Sequence, residues 1–194
     1  MSKTINILIT CSGGRYTYDL ANSLKALKNF KVNLFGVDLN PKLSLPYIKK
    51  QYSIPNHRQK EKYFKRLFSI CRINKIKIIL PLSENESILF SKHKSIFDKK
   101  KIKILISDFK IVSTLVDKVK MYKFLEKNNI NIGKWKIIKN LKDVLNFAKV
   151  LNYPKNKVIL KPRFGSGSRG VIILNRKIKK FKYLLNNRFC GTGN

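Results

Sequence analysis

The strongest constraint on the fold is an alternation of short apolar runs with longer amphipathic segments over residues 5–107. Four apolar runs predict strands, at residues 5–10, 31–40, 76–83 and 101–107. Three segments with helical periodicity separate them, at residues 17–27, 60–75 and 84–100. The proline-marked stretch 41–57 predicts irregular structure. This alternation indicates an α/β domain over residues 1–107, built on a parallel sheet with right-handed crossovers.

The pattern changes near residue 108, where a second, smaller α+β domain is expected. Its predicted elements are a mostly helical segment, a short strand and a helix, at residues 108–130, 134–140 and 141–152. Two further apolar runs, 158–160 and 171–174, flank a glycine-rich loop. We expect these two runs to pair as antiparallel strands around the loop, and the domain to extend over residues 108–194.

The loop "KPRFGSGSRG" at residues 161–170 concentrates groups that bind phosphate. Its glycines free the backbone for close approach to a ligand, and successive N–H groups form a concave anion site. Hydroxyl donors and two kinds of cation accompany them, at Ser166, Ser168, Lys161 and Arg169. The loop is neither a P-loop nor a dinucleotide motif that opens a helix. Two structures fit it, an ordinary β-turn or a flap that folds over phosphates as in protein kinases.

The order of these features along the chain resembles a known arrangement. A strand that ends in Lys-Pro, a Gly/Ser loop and another strand resemble the N-terminal lobe of the ATP-grasp superfamily, and "LVDKVKMYKFLEKNNINIGKW" at 115–135 resembles the opening segment of that lobe. "ILITCSGGRY" at 7–16 and "ILPLSENES" at 79–87 resemble the Rossmann-like pre-ATP-grasp domain. The most similar members are the carbamoyl-phosphate-synthase-like and pyrrolysine-synthesis-ligase-like proteins.

The resemblance implies a function and a site. Residues 1–107 would form the pre-ATP-grasp domain and residues 108–194 a partial ATP-grasp domain. In such enzymes ATP phosphorylates a small-molecule carboxylate, and an amine or a thiol then attacks the acyl phosphate. The phosphates of ATP would contact Lys118, Lys161, Gly165, Ser166, Gly167, Ser168, Arg169 and Gly170. Outside this context, Lys118 is equally well explained as a solvated helix lysine.

The turn "CSGGRY" in the first domain follows a strand and precedes a helix, so its N–H groups point toward an anion. The resemblance implies that this crevice faces the acceptor substrate, with contacts from Ser12, Gly13, Gly14, Arg15 and Glu84. A tight turn with helix capping explains the same residues. Asp38 lies where dinucleotide-binding proteins place a ribose-binding acid, but the glycine pattern is wrong for NAD.

The sequence after residue 174 bears on the metal site. In the family, a second lobe supplies the acidic ligands of Mg²⁺, whereas residues 175–194 contain no Asp or Glu. We therefore expect a truncated or split ATP-grasp protein that is inactive alone, and we predict no catalytic or metal-ligating residue in it. The missing lobe would be supplied in trans by a separate polypeptide or lost by frameshift. Exposed apolar surface on the incomplete lobe predicts self-association.

The formal net charge of +33 has two explanations. A polyanion partner is one, and it supports an alternative function as a non-catalytic basic module that binds nucleotide or nucleic acid. Compositional bias is the other, because 35 of the 43 basic residues are lysines, spread along a chain rich in Ile and Asn. Sequence-reading proteins use more arginine. We favour bias and expect only weak, non-specific, salt-sensitive binding to nucleic acid.

The remaining composition concerns location. The three cysteines, Cys11, Cys71 and Cys190, have no metal or redox spacing, which favours a reducing cytosol. No apolar run reaches the roughly 18–20 residues of a membrane span, and the first residues lack the layout of a signal peptide. A cytoplasmic protein without a membrane partner is therefore expected.

Overall fold

The structure is a computed structural model that describes residues 3–14, 16–41 and 47–174, and it divides into two compact units, Met1–Ser113 and Thr114–Asn194. The strands are β1 Lys3–Thr10, β2 Phe30–Asp38, β3 Ile48–Ser53, β4 Ile78–Leu80, β5 Lys103–Ile104, β6 Val158–Leu160 and β7 Ile172–Leu174. The helices are α1 Thr17–Lys25, α2 Lys60–Ile73, α3 Glu84–Lys92, α4 Lys94–Lys99, α5 Phe109–Val116, α6 Lys118–Lys127 and α7 Leu141–Val150.

The first unit is built on a five-stranded parallel sheet with the order β3-β2-β1-β4-β5. Successive side chains of β1 alternate between the two faces of this sheet. Ile7 and Ile9 pack with Ala21 of α1 on one face, and Leu8 packs on the opposite face. Burial on both sides is why the central strands are continuous apolar runs. The predicted α/β fold is confirmed.

An aromatic cluster fills the larger of the two layers of the first unit. Phe97 is fully buried and lies 5.1–5.8 Å, between ring centroids, from Phe90, Phe68 and Phe64. Tyr63 adds a fifth ring, 6.0 Å from Phe90. These side chains come from α2, α3 and α4, so the cluster fixes three helices against the sheet. Rings at these separations interact favourably beyond the area that they bury.

The prediction of irregular structure over residues 41–57 is wrong for 48–53, which form the edge strand β3. Its sequence, IKKQYS, has polar residues on a half-exposed edge and lacks the apolar alternation that indicates a strand.

The predicted helix 84–100 is two helices, α3 and α4, because the chain leaves helical geometry at His93.

The second unit contains the antiparallel pair β6–β7, as predicted, with Ile159 opposite Ile173. Its buried face packs on Val144 and Ala148 of α7. The predicted strand 134–140 is wrong, because no strand pairs with this segment among the described residues, and it contributes Ile138 to the core without forming a ladder. Residues 108–130 are mostly helical, as predicted, and form two helices, because α5 ends at Val116 and Asp117 then caps the start of α6.

The identities proposed for domains 1–107 and 108–194 remain predictions. Residues 175–194, on which the expectation about missing metal ligands rests, lie outside the described residues. Within the described ranges, no helix combines the length and the apolarity that crossing a bilayer requires.

Candidate functional site

The glycine-rich loop joins the ends of β6 and β7, and its backbone has the geometry that its glycines permit. Gly165 has φ +121° and Gly170 has φ +75°, both in the region that side chains disfavour. A Cβ on Gly170 would lie 3.3 Å from Cγ of Pro162, so the backbone of Gly170 packs closely on the ring of Pro162. Ser168 also has a positive φ of 58°, a conformation that costs a non-glycine residue about 1 kcal/mol.

The two predicted phosphate lysines both lie against this loop or the strand that leads into it. Lys118, the first residue of α6, donates from Nζ to the carbonyl of Gly165 at 2.8 Å. Lys161 follows β6 and donates from Nζ to the hydroxyl of Tyr122 at 3.3 Å. These two contacts join residues that lie 47 and 39 positions apart in the sequence.

Arg169 and Ser166 also form hydrogen bonds within the loop. The guanidinium of Arg169 donates to the carbonyl and to the hydroxyl of Ser166, at 3.2 and 3.3 Å. Both bonds are long and exposed, so a phosphate oxygen can replace them at little cost. Two lysines, one guanidinium and the backbone N–H groups of the loop therefore form a set of donors that can bind an anion.

A buried acid beside the loop was not predicted as a site residue. Asp117 is 3% exposed, and its carboxylate accepts two hydrogen bonds from Arg163, at 2.9 Å from Nε and 2.7 Å from Nη2. The same carboxylate caps α6 by accepting from the amides of Val119 and Lys120. An Asp before a helical run is a sequence signal for a cap, but its pairing with an arginine 46 residues later is not visible in sequence.

The Arg163 hydrogen bonds lower the pKa of Asp117 to about 2 from its ordinary value of 3.8, and the amides of Lys120 and Val119 contribute to the same shift. We expect a carboxyl NMR titration to place the midpoint for Asp117 near this value. Because the folded-state pKa is depressed, this ion pair stabilises the second unit above about pH 4, and its contribution is lost as the pH falls toward 2. In Arg163→Gln the midpoint is expected to move up toward 3.8, whereas in Arg169→Gln it is expected to stay. A midpoint unchanged by Arg163→Gln would contradict the pairing.

At the carboxyl end of the parallel sheet, the turn after β1 is held by the end of β2. The amide of Gly13 donates to Asp38 Oδ2 at 2.9 Å, and a Cβ there would lie 3.2 Å from the same oxygen. The other oxygen of Asp38 accepts from the amide of Asn40. Asp38, the acid considered as a ribose ligand, therefore stabilises the turn after β1 and the end of β2.

The predicted substrate residues of this turn differ in accessibility. Gly13 and Gly14 are exposed, whereas Ser12 is fully buried and its hydroxyl accepts from Nε2 of Gln51 at 3.2 Å. Glu84 lies half-buried in the first turn of α3. Arg15 lies outside the described residues. A substrate at this end of the sheet would meet the backbone of the two glycines more readily than Ser12.

A second unpredicted acid, Glu86, lies buried beneath the same end of the sheet. Its carboxylate accepts hydrogen bonds from three hydroxyls, those of Thr10 and Ser83 at 2.7 Å each and that of Tyr63. Burial and the proximity of Glu86 raise the pKa of Tyr63, which stays a hydrogen-bond donor. The S-x-x-E spacing from Ser83 to Glu86, a capping-box pattern, is the sequence signal that could have revealed this residue.

The described residues do not fit a Mg²⁺ site of their own. Among them, no group of three or more His, Cys, Asp or Glu side chains converges on one point. The acid nearest in sequence to the phosphate lysines, Asp117, is already committed to Arg163. A Mg²⁺ site with three or more such ligands would therefore involve groups outside the described part of the chain.

The parallel α/β unit, followed by a glycine-rich loop between antiparallel strands, has the fold of ATP-grasp proteins that begin with a Rossmann-like domain. A sequence model of the PylC-like N-terminal domain matches residues 7–105. The chain belongs to this PylC-like family. No curated protein matches the chain significantly.

Solved structures share the fold at low sequence identity. The L-amino acid ligase from Bacillus licheniformis is 18% identical with a TM-score of 0.59, over 98% of this chain and 43% of that one. The biotin carboxylase domain of Hydrogenobacter thermophilus 2-oxoglutarate carboxylase, in complex with MgADP, ADP and bicarbonate, is 17% identical with a TM-score of 0.57, over 94% and 39%. Campylobacter jejuni biotin carboxylase, in a β,γ-ATP complex, is 22% identical with a TM-score of 0.56, over 87% and 37%. The chain thus spans about two fifths of each of these proteins.

Proposed function

We propose that this chain is the ATP-binding part of a ligase that joins a small-molecule carboxylate to an amine or a thiol through an acyl phosphate. Membership of the PylC-like family supports this proposal, as does a fold shared with a ligase and with carboxylases that were solved with nucleotides. The chain's own part in such a reaction is to bind and orient the phosphates of ATP. In phosphoryl transfer, positioning and neutralisation of charge account for most of the catalysis.

One observation carries the proposal. A flap with glycines at positive φ joins two antiparallel strands, and Lys118 contacts it at 2.8 Å from 47 residues earlier in the chain. The contact ties the loop to α6 and also places a cation beside the loop amides. A phosphate-binding flap needs one, because the charge on the β- and γ-phosphates must be neutralised as the flap closes.

The other parts of the reaction follow from the same proposal. The carboxylate substrate would lie at the carboxyl end of the parallel sheet, where the amides after β1 are exposed at Gly13 and Gly14. Mg²⁺, when bound, would supply neutralisation of the phosphate charge. Its ligands would come from groups outside residues 3–174, in the same polypeptide or in a separate one. The cytosol, where ATP is abundant, would be the site of action.

Binding of MgATP measured by calorimetry tests the proposal. We expect saturable binding to the wild-type chain, and affinity at least about tenfold weaker in Lys161→Ala, since a hydrogen bond between charged groups contributes roughly 1.5–3 kcal/mol. Lys155→Ala is the matched control, because Lys155 is an exposed lysine of the same unit that lies outside the loop. In a chain of net charge +33, this control separates a phosphate site from general attraction.

Equal loss of affinity in the two variants, with a steep dependence on salt, would reassign the binding to net charge. Absence of binding by a folded wild-type chain would overturn the proposed function for the described residues.

A further inference from the structure

The two arginines of the glycine-rich segment have different environments. Arg163 is bound through Nε and Nη2 to both oxygens of Asp117, at 2.9 and 2.7 Å, and its guanidinium lies 5.3 Å from the ring centroid of Phe164. Arg169 is exposed and makes only the two long bonds to Ser166. The guanidinium of Arg163 is fixed in place by a buried acid, whereas the guanidinium of Arg169 is available to bind a ligand.

Three links join the start of α6 to the segment that enters the loop. The Asp117–Arg163 pair is the first. The amide of Lys118 donates to the carbonyl of Arg163 at 3.1 Å, and the ammonium of Lys118 donates to the carbonyl of Gly165 at 2.8 Å. The loop is therefore held by one short stretch of chain, residues 117–118, at its backbone and at its side chains.

Because a bidentate pair fixes orientation as well as distance, it determines where Lys118 and the loop amides lie relative to each other. The alternative is that Arg163 itself binds phosphate through Nη1, because Asp117 engages only Nε and Nη2 and the side chain of Arg163 is 54% exposed. A phosphate that took Nε or Nη2 would leave the carboxylate of Asp117 buried without its cation, which is costly, so a contact from Arg163 is limited to Nη1.

We propose that Asp117 is a positioning residue for the phosphate flap: through Arg163 it holds residues 163–165 against the first turn of α6, so that Lys118 and the loop amides face one phosphate. Arg169 is the arginine that the phosphate takes. The proposal rests on the proposed function and divides its residues into two roles, with Asp117 and Arg163 holding the loop and Lys118, Lys161 and Arg169 contacting the nucleotide.

Asp117→Asn isolates the positioning role, because asparagine is as good an N-cap as aspartate but cannot form the charged pair. Helix α6 is therefore expected to remain folded. Thermal unfolding followed by the fluorescence of Trp135, in the same unit, can verify this, and the midpoint is expected to shift by only a few degrees. Arg163→Gln removes the other partner. Arg169→Gln is the contrasting variant, since it removes an arginine of the same loop without touching the pair.

The first measurement uses the full chain without nucleotide, by backbone ¹⁵N relaxation. We expect the order parameters of residues 164–168 to fall in Asp117→Asn and in Arg163→Gln, and to stay at the wild-type level in Arg169→Gln. The double variant Asp117→Asn/Arg163→Gln is expected to resemble either single variant, because both remove one interaction. Unchanged order parameters in Asp117→Asn would overturn the positioning role, whether or not the chain binds ATP.

The second measurement is MgATP affinity by calorimetry. Asp117→Asn is expected to bind about 3–10-fold more weakly, the cost of ordering the loop on binding, and Arg169→Gln about tenfold more weakly through loss of a direct contact. The two roles would be reversed if Arg169→Gln bound MgATP with wild-type affinity while Arg163→Gln bound it more weakly without any change in the loop order parameters. Failure of the wild-type chain to bind MgATP would contradict the proposed function instead, and the relaxation data would still decide whether Asp117 holds the loop.

Discussion

Phe97→Ala is expected to lower the free energy of unfolding of the first unit by about 3–5 kcal/mol, the largest effect of any single change considered for this chain. The side chain of Phe97 is fully buried and contacts three other aromatic rings at centroid distances of 5.1–5.8 Å. Alanine would remove the apolar area and leave a cavity among rings contributed by three helices, which cannot all move inward together.

Native-state hydrogen exchange of the β1 and β4 amides measures this loss, because these strands lie in the centre of the affected sheet. Phe30→Ala is the matched control, since Phe30 lies at the exposed start of β2 with 43% of its surface accessible, and a loss below about 1 kcal/mol is expected. The single tryptophan, Trp135, belongs to the other unit, so its fluorescence reports whether that unit is affected. Similar losses in the two variants would contradict the central role of the aromatic cluster.

Glu86→Ala is expected to lower the stability of the first unit by about 3 kcal/mol. Three hydroxyl groups, of Thr10, Tyr63 and Ser83, would lose their shared acceptor, and hydrogen bonds to a charged group contribute roughly 1.5–3 kcal/mol each without adding fully in one network. Thr10 directly precedes the turn at 11–14, so we also expect faster amide exchange at Gly13 and Gly14.

Two companion variants sharpen this prediction. Glu86→Gln keeps the shape and one acceptor oxygen, and because hydroxyls can also accept from an amide, less than half of the loss is expected. Glu84→Ala, in the same first turn of α3, removes a half-buried carboxylate outside the network, and a loss of a few tenths of a kcal/mol is expected. If Glu84→Ala cost as much as Glu86→Ala, the effect would belong to the helix terminus rather than to the buried network.

These effects separate two kinds of charged residue in a chain where charge is abundant. Most of the basic residues that the structure describes face solvent, and little can be inferred about any one of them from sequence. The informative charges are the few that are buried or committed, namely Glu86, Asp117 and Arg163. None of these three was predicted as a site residue, although each organises a segment that was.

In the first unit, the sequence identified the strands that are apolar runs and missed β3, which is polar. β1 and β2 are apolar runs because neighbouring strands and helices cover them, so their composition alone indicates them. β3 lies at the edge and carries Lys49, Lys50 and Gln51, so its structure depends on pairing with β2. Residues 134–140 show the converse, since their apolar alternation predicts a strand that lacks a partner among the described residues.

What the sequence by itself determined is therefore the local part of this protein: the order of the buried strands, the glycine-rich loop with Lys161 and Arg169 beside it, and the family resemblance. Only the tertiary structure decided which charges are paired. Asp117 meets Arg163 across 46 residues and Glu86 meets Thr10 across 76. Periodicity and turn chemistry depend on neighbours a few residues apart, whereas the pairing of a buried charge depends on which distant element folding brings within about 3 Å.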